Sequence, residues 1–256
     1  MLFAIDVGNT NIAFAVFDGE NLRGDWRIGT VARRTGDEYA ALMLALFQER
    51  GLAFSDIDTV AISSVVPATL DPLIRLSRHH LKVDSPFVLT PDTDVGVKVN
   101  YHPASDVGAD RIANAVAAHD KYGGKAIIVD FGTATTLDAV GENGEYLGGA
   151  IAPGIQISLE ALFSRAARLT GVQLVAPDKA IGDTSPASLQ SGIIYGFAGQ
   201  VDALVDRFQN EMGGGATVVA TGGAAEIIAQ HSRTIQCCDE LLTLRGLKII
   251  YERTHS

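Results

Sequence analysis

The chain has 256 residues, of which 47% are hydrophobic, and a formal net charge of -10. A chain of this length buries roughly 75% of its unfolded surface and forms one large domain or two ordinary ones, while its acidic balance argues against a nucleic-acid partner. It has no basic leader, no apolar run of about 18 residues and no cysteine besides the adjacent Cys237 and Cys238, which predicts a cytoplasmic protein without a signal peptide, membrane span or disulfide framework.

The first part of the chain alternates strand and helix patterns, as expected for an α/β fold with mixed or parallel sheets. The predicted elements, in chain order, are strands at Leu2–Val7, Ile12–Phe17 and Leu22–Ile28, a helix over Asp37–Arg50, a strand at Thr59–Ser63, a helix from Pro67 to His80, a strand at Phe87–Leu89 and a helix over Ala109–Tyr122.

The second part begins the same pattern again. Its predicted elements are strands at Ile127–Val129, Thr135–Val140 and Tyr146–Ile151, a helix over Ile155–Leu169, a polar loop over Ala176–Ser185, a long helix over Pro186–Asn210, a strand at Thr217–Ala220 and a helix opened by Gly222-Gly223. We therefore expect two similar halves that pack against each other with a cleft between them.

Each half contains an aspartate-glycine turn directly after a short apolar strand. The first is Asp6-Val7-Gly8-Asn9-Thr10, and the second is Asp130-Phe131-Gly132-Thr133-Ala134-Thr135. Glycine lets the backbone approach a ligand, amides and threonine hydroxyls can donate to phosphate oxygens, and an aspartate can hold a cation or its water shell. The pair of turns predicts phosphoryl-transfer chemistry with a divalent cation, because the acidic chain otherwise repels an anionic nucleotide.

A single turn of this kind can simply close a hairpin, since Asp and Gly are common turn residues. Two copies after equivalent strands, together with the Thr-Gly-Gly junction at Thr221, favour the functional interpretation. The chain lacks both the P-loop pattern and the Gly-x-Gly-x-x-Gly pattern, which disfavours a P-loop kinase and a Rossmann dehydrogenase.

A further candidate is Gly108-Ala109-Asp110-Arg111, which follows Tyr101-His102-Pro103. One interpretation is structural, because an acidic residue is favoured in the first turn of a helix. In the other, Asp110 accepts a hydroxyl proton while an alcohol attacks a γ-phosphate, and Arg111 holds an anionic group of the substrate. The two interpretations use the same geometry.

Taken together, these motifs resemble those of the type III pantothenate kinases, within the actin, Hsp70 and sugar kinase superfamily. The resemblance covers essentially the whole chain. The motifs that carry it are DVGNTN at Asp6–Asn11, ISSVVP at Ile62–Pro67, GADR at Gly108–Arg111, DFGTATT at Asp130–Thr136, GGAIAPG at Gly148–Gly154, QSG at Gln190–Gly192 and ATGG at Ala220–Gly223.

The resemblance implies ATP-dependent phosphorylation of pantothenate, the first step toward coenzyme A, by a homodimer whose chains each have two RNase H-like domains, here 1–112 and 113–256. It implies that Asp110 is the catalytic base and that Asp130 binds potassium or ammonium. It also implies that Asp6 holds Mg²⁺ through a water molecule. The ATP-binding residues implied are Asp6, Val7, Gly8, Asn9, Thr10, Asn11, Ile12, Ala13 and Thr133. The pantothenate-binding residues implied are Tyr101, Gly108, Ala109, Asp110, Arg111 and Ser185.

Two positions depart from the family pattern. Ser185 stands where a threonine is common, with Thr184 as an alternative hydroxyl, and His102 stands where an asparagine is usual. The long helix carries an apolar stripe at Ile193, Ile194, Phe197, Val201 and Leu204, which is either a dimer surface or part of the core of its own half.

Other functions on the same fold remain open from the residues alone. A non-catalytic ATP-binding regulator would keep the two turns without turnover, and a kinase of another small alcohol would phosphorylate a sugar or polyol instead. An actin-like filament protein is disfavoured, because 256 residues leave little room for added subdomains.

Overall fold

The computed structural model describes residues 1–90, 92–165 and 171–255. Contacts divide the chain into two compact units. The first contains Met1–Val97, His102–Ala117 and Thr243–Ser256, and the second contains Lys98–Tyr101 and Ala118–Leu242. Within the described residues, every helix is too short or too polar to cross a lipid bilayer.

The elements follow in chain order. They are β1 (Leu2–Val7), β2 (Asn11–Asp18), β3 (Asn21–Gly29), α1 (Gly36–Glu49), β4 (Thr59–Ser64), α2 (Pro67–Arg75), β5 (Phe87–Val88), α3 (Ala109–Tyr122), β6 (Ala126–Phe131), β7 (Ala134–Val140), β8 (Tyr146–Pro153), α4 (Ile155–Arg165), α5 (Ser185–Glu211), β9 (Thr217–Gly222), α6 (Ala225–Ala229), β10 (Cys237–Cys238) and α7 (Leu242–Thr254).

Each unit has a mixed five-stranded sheet, and the two sheets share one topology. The strand orders are β3-β2-β1-β4-β5 in the first unit and β8-β7-β6-β9-β10 in the second. In both, three strands form an antiparallel meander, and two more strands add in parallel beside the first strand of that meander. The expected repetition of an α/β topology with flanking helices is therefore confirmed.

The main core of the first unit lies on one face of its sheet. Alternate residues of β1, β2 and β4 point to this face, as the two-residue period of a strand requires. It is covered by α1, by α2 and by the turn that follows α2, through the fully buried side chains Tyr39, Met43, Phe47, Leu73 and Leu76. Helix α1 begins with a capping box, in which the Glu38 amide donates to Thr35 Oγ1 over 3.3 Å and the Thr35 amide donates to Glu38 Oε2 over 2.7 Å.

The core of the second unit is closed by α4, α5 and α6, and it accounts for the apolar stripe of α5. Ile194 and Val201 have no exposed surface, and Ile193, Phe197 and Leu204 pack partly buried against the same cluster. Of the two roles expected for this stripe, the structure supports packing within its own unit.

Several element ends differ from the predicted bounds. The helix from Pro67 is α-helical to Arg75 and continues as one wider π-type turn to His80. The predicted helix from Ile155 is described to Arg165, and its predicted end at Leu169 lies outside the described residues.

The last helix, α7, was not predicted. It is one of the segments by which the two units differ from a single cut at 112/113, together with Lys98–Tyr101 and the part of α3 up to Ala117. Thr243 Oγ1 donates to Asn114 Oδ1 over 2.8 Å, and Lys248 Nζ donates to Glu20 Oε1 over 2.6 Å. At Gly246 a Cβ atom would lie 1.9 Å from the Ala113 carbonyl oxygen. Helix α7 therefore packs directly against the backbone of α3, and both belong to the first unit over these residues.

We predict that Gly246→Ala destabilises the protein by about 1–3 kcal/mol, because the added methyl group overlaps the Ala113 backbone. The free energy of urea-induced unfolding measures this effect. Gly199→Ala in α5 is the control: a methyl group there meets no atom within 4 Å, and Ala favours a helix over Gly. Equal stability of the two variants would contradict the close contact between α7 and α3.

Candidate active site

The first aspartate-glycine turn joins β1 to β2 and is held by its own backbone and by the end of β3. The Gly8 amide donates to the Asn11 carbonyl over 2.9 Å, and Thr30 donates from its amide to the Thr10 carbonyl and from Oγ1 to the Gly8 carbonyl, over 2.9 and 2.7 Å. Asn9, Thr10 and Asn11 are exposed. A fixed backbone therefore presents three adjacent polar side chains to solvent, as a phosphate-binding turn requires.

The apolar residues predicted to contact ATP lie in the strands that flank this turn. Val7 and Ile12 are buried in the core of the first unit and pair with each other across β1 and β2. Ala13 is half-buried and opposite Asp6 in the same ladder. Because Val7 and Ile12 point their side chains into the core, their contribution is to hold the turn.

Asp6 lies at the end of β1 beside a buried hydroxyl. Its partner in the parallel strand β4 is Ser63, so both side chains leave the same face of the sheet. Ser63 Oγ is fully buried and has no hydrogen-bond partner within the described residues. A buried hydroxyl without a partner beside a carboxylate fits a hydrated cation, whose water can supply the missing bond.

The end of β4 connects this turn to the start of α3. The Val65 amide donates to the Val7 carbonyl over 3.0 Å. A Cβ atom on Gly108 would lie 3.8 Å from Val65 Cγ1 and only 2.3 Å from Asp110 Oδ1. The Val65 amide thus pairs with the strand that leads into the turn, and its side chain lies near Gly108. A side chain at position 108 would displace the Asp110 carboxylate from its present orientation.

Asp110 lies in the first turn of α3, where the Arg111 amide donates to its Oδ1 over 2.9 Å. Burial raises the pKa of Asp110 above its ordinary value, and the hydrogen bond and charge of Arg111 only partly oppose this shift. Arg111 is itself 8% exposed. A carboxylate with a raised pKa, held in one orientation, has the properties of a general base.

The second aspartate-glycine turn joins β6 to β7 and is surrounded by glycines. A Cβ atom on Gly222 would lie 2.6 Å from Asp130 Oδ1, and one on Gly132 would lie 3.5 Å from it. The Gly154 amide donates to the Thr133 carbonyl over 3.2 Å, and a Cβ atom on Gly154 would lie 2.2 Å from that oxygen. Gly222 and Gly154, at the ends of β9 and β8, therefore allow the Asp130 carboxylate and the backbone at Thr133 to lie in positions that side chains would overlap.

A turn of this kind can hold a cation through one carboxylate together with backbone or ligand oxygens. Across residues 1–90, 92–165 and 171–255, no cluster of three or more His, Cys, Asp or Glu side chains could hold a metal ion. Neither Asp6 nor Asp130 therefore belongs to such a cluster, and a cation at either residue would also be coordinated by backbone, water or bound-ligand oxygens.

The remaining predicted substrate residues lie in the second unit. Tyr101 is half-buried beside the start of β8. Thr184 caps α5, because its hydroxyl accepts the Ala187 amide over 3.3 Å, whereas Ser185 is exposed as the first residue of that helix. The cap occupies Thr184 Oγ1, which favours Ser185 as the hydroxyl that contacts a substrate.

The first unit thus gathers the Asp6–Asn11 turn, the end of β4 and Asp110, and the second gathers Asp130, Thr133 and the glycines around them. Sequence reasoning did not assign a role to Ser63 or to Gly154, although both lie inside motifs that it singled out. A serine at the end of an otherwise apolar strand was the available signal for Ser63.

Structural similarity defines the class of protein. A putative Baf family transcriptional activator from Campylobacter jejuni matches with a TM-score of 0.63 and 20% identity, covering 99% of this chain and 100% of that one. A ROK hexokinase from Thermus thermophilus matches with a TM-score of 0.53 and 14% identity, covering 99% of each chain. The chain therefore shares the fold of these two proteins, in keeping with the α/β fold that the resemblance to the actin, Hsp70 and sugar kinase superfamily implied.

Sequence similarity defines the family. The family model for type III pantothenate kinase matches residues 2–207. Type III pantothenate kinases from Moorella thermoacetica and Geobacter sulfurreducens are 48% and 49% identical to this chain over 253 residues, covering 99% of each sequence. The enzyme from Myxococcus xanthus is 46% identical over 256 residues, covering all of both. The chain belongs to the type III pantothenate kinase family.

The raised pKa of Asp110 predicts the position of the acidic limb of the pH profile. With Asp110 as the proposed general base, which acts only when ionised, we predict that kcat/KM for pantothenate falls as pH falls through the pKa of Asp110 in the free enzyme. We expect that limb to lie above the ordinary aspartate pKa of about 3.9. Asp206→Asn, which alters an exposed ion pair with Arg233, should leave the limb unchanged. A limb at or below the ordinary value would contradict the buried setting of Asp110.

Proposed function

We propose that this chain transfers the γ-phosphoryl group of ATP to the primary hydroxyl of pantothenate, with Asp110 as the general base. The reaction is the one named by the family, and it yields 4′-phosphopantothenate for coenzyme A synthesis. The observation that best supports the residue assignment is the contact of Val65 with both Val7 and the Gly108 position, because it joins Asp110 to the strand that precedes the first turn within one unit.

In the proposed reaction, Asp110 accepts the hydroxyl proton while the hydroxyl oxygen forms a bond to the γ-phosphorus. The bond from that phosphorus to the bridging oxygen breaks, and ADP leaves with the electron pair. The proton on Asp110 then passes to solvent. Phosphoryl transfer needs positioning and charge neutralisation more than covalent catalysis, which suits a site made of turns and one buried carboxylate.

The ATP phosphates are assigned to the two turns. In the first, the amides around Gly8 and the exposed side chains of Asn9, Thr10 and Asn11 are the candidate donors, and in the second it is Thr133. The pattern supports this assignment because such donors compensate a net charge of -10 that repels a nucleotide.

Two cations complete the proposed site. Asp6, with the buried Ser63 hydroxyl on the same face, is the candidate to hold Mg²⁺ through water. Asp130, whose carboxylate lies against Gly222 and beside Gly132 in the second turn, is the candidate for potassium or ammonium. When bound, such ions neutralise the charge on the phosphates.

Pantothenate is assigned to Tyr101, Gly108, Ala109, Asp110, Arg111 and Ser185. The guanidinium of Arg111 suits the pantothenate carboxylate, which it can bind through two parallel hydrogen bonds. Ser185 supplies a hydroxyl, since Thr184 is engaged as the cap of α5.

The family resemblance also supports a homodimer, which we retain as a proposal without assigning its surface. A cytoplasmic location is likewise proposed, on the ground that Cys237 and Cys238 are both free thiols. A non-catalytic regulator and a kinase of another small alcohol are the competing outcomes of the experiment that follows.

We predict that Asp110→Asn lowers kcat by about 10²–10⁴-fold, the usual contribution of a general base, while ATP binding persists. A coupled assay of ADP release and a nucleotide-binding titration measure the two effects. The variant should be at least as stable as the parent at pH 7. The pKa of Asp110 is higher in the folded than in the unfolded state, so ionisation above that pKa weakens the fold, and asparagine removes this penalty.

Asp206→Asn again provides the matched control, because it removes an exposed carboxylate and should retain full turnover. Near-normal turnover of Asp110→Asn would refute the assignment of the base. Parent protein that binds ATP without turning over any alcohol would indicate the regulator, and turnover of a polyol but not of pantothenate would indicate the other kinase.

A further inference from the structure

The short segment Lys98–Tyr101 belongs to the second unit, although the residues on both sides of it belong to the first. A single residue, Tyr146, holds its backbone. The Tyr146 amide donates to the Lys98 carbonyl over 2.9 Å, and the Asn100 amide donates to the Tyr146 carbonyl over 2.8 Å. Val99 thereby forms a parallel bridge with Tyr146 at the start of β8, and the segment ends at Tyr101 in a defined position.

The side chain of Tyr146 is fixed by a buried carboxylate. Tyr146 and Asp138 are both fully buried, and the Tyr146 hydroxyl donates to Asp138 Oδ1 over 2.7 Å. Thr136 Oγ1 donates to the other oxygen, Oδ2, over 3.3 Å. A buried carboxylate requires such donors, so this hydrogen bond fixes the position of the Tyr146 hydroxyl.

The aromatic ring of Tyr101 packs against a surface that Tyr146 helps to form. The centroids of the Tyr101 and Tyr146 rings are 6.3 Å apart, with an angle of 63° between the ring planes. This edge-to-face arrangement is a favourable one for aromatic pairs. Gly148 adds to the same surface, because a Cβ atom there would contact Tyr101 Cδ2 at 3.8 Å.

We propose that Tyr146, anchored by Asp138, is a positioning residue for the pantothenate site and acts through Tyr101. This inference rests on the proposed function, in which Tyr101 contacts pantothenate. Tyr146 is buried and contacts Tyr101 through its ring and, through its backbone, the segment that ends there. Its loss should therefore weaken pantothenate binding and leave phosphoryl transfer from bound substrates nearly unchanged.

The test uses the full chain and compares Tyr146→Phe, Tyr101→Ala and the double variant in steady-state kinetics. Tyr146→Phe removes only the hydroxyl, and we expect it to raise KM for pantothenate about 3- to 10-fold, the effect of one net hydrogen bond. The kcat value and KM for ATP should change less than about twofold on the same scale. Since Tyr146 acts through Tyr101, the double variant should match Tyr101→Ala alone.

Two further variants separate positioning from general loss of structure. Tyr251→Phe, which removes a phenol oxygen 3.4 Å from Thr59 Oγ1 in the first unit, should leave both KM values unchanged. Gly148→Ala adds a methyl group beside Tyr101 at a φ of 122° that side chains rarely adopt, so it should raise KM for pantothenate together with a lower unfolding temperature, the pattern of a strained backbone.

Three outcomes would overturn the inference while leaving the kinase function intact. They are an unchanged KM for pantothenate in Tyr146→Phe, additive effects in the double variant, and a fall in kcat at constant KM together with a lower unfolding temperature. Parent protein that releases no ADP in the presence of pantothenate would instead overturn the proposed function, and this inference with it.

Discussion

The hydrogen bond from the Val65 amide to the Val7 carbonyl is the contact on which the geometry of the first unit depends. Strands β1 and β4 are parallel neighbours, so their carboxyl ends meet at one edge of the sheet. Val65 extends this pairing one residue past β4 and contacts the position of Gly108. The turn after β1 and the start of α3 are thereby held at the same edge. Without that contact, Asp110 would be an acidic first-turn residue of a helix and nothing more.

The two units have the same topology and differ in the chemistry at equivalent positions. Asp6 and Asp130 both end the central strand of their sheet, and their parallel partners are Ser63 and Thr221. In the first unit the next residue of the neighbouring strand is Ser64, whereas in the second it is Gly222, against which the Asp130 carboxylate packs. The repeated fold thus supplies two similar turns, and local side chains give each turn a separate proposed role.

Most of the strands and helices could be predicted because their signals are local. The apolar run of β1, the pattern of β2, the proline at the start of α2 and the apolar residues of α1 each indicate one element. Helix α7 could not, because Gly246 interrupts its pattern, and the reason for that glycine is a contact with Ala113 more than a hundred residues away in sequence. Strand β10 has only two residues and depends entirely on pairing with β9.

The candidate site was predictable to a similar extent. The motifs identified the turns and Asp110, because a few adjacent residues determine turns and helix starts. Features that depend on tertiary packing could not be predicted from the sequence. They are the burial that raises the pKa of Asp110, the capping hydrogen bond that Thr184 accepts, and the packing of the α5 stripe into its own unit. The link from Asp138 through Tyr146 to Tyr101 joins three separate segments, and only coordinates could reveal it.

Phosphorylation of pantothenate by this chain is tested most simply by identifying the phosphorylated product. ADP release and product mass should be measured with ATP, Mg²⁺ and pantothenate, in potassium and in sodium buffers. We expect one molecule of 4′-phosphopantothenate for each molecule of ADP released, and we expect turnover to depend on potassium. Release of ADP without phosphorylated pantothenate, in either buffer, would contradict it.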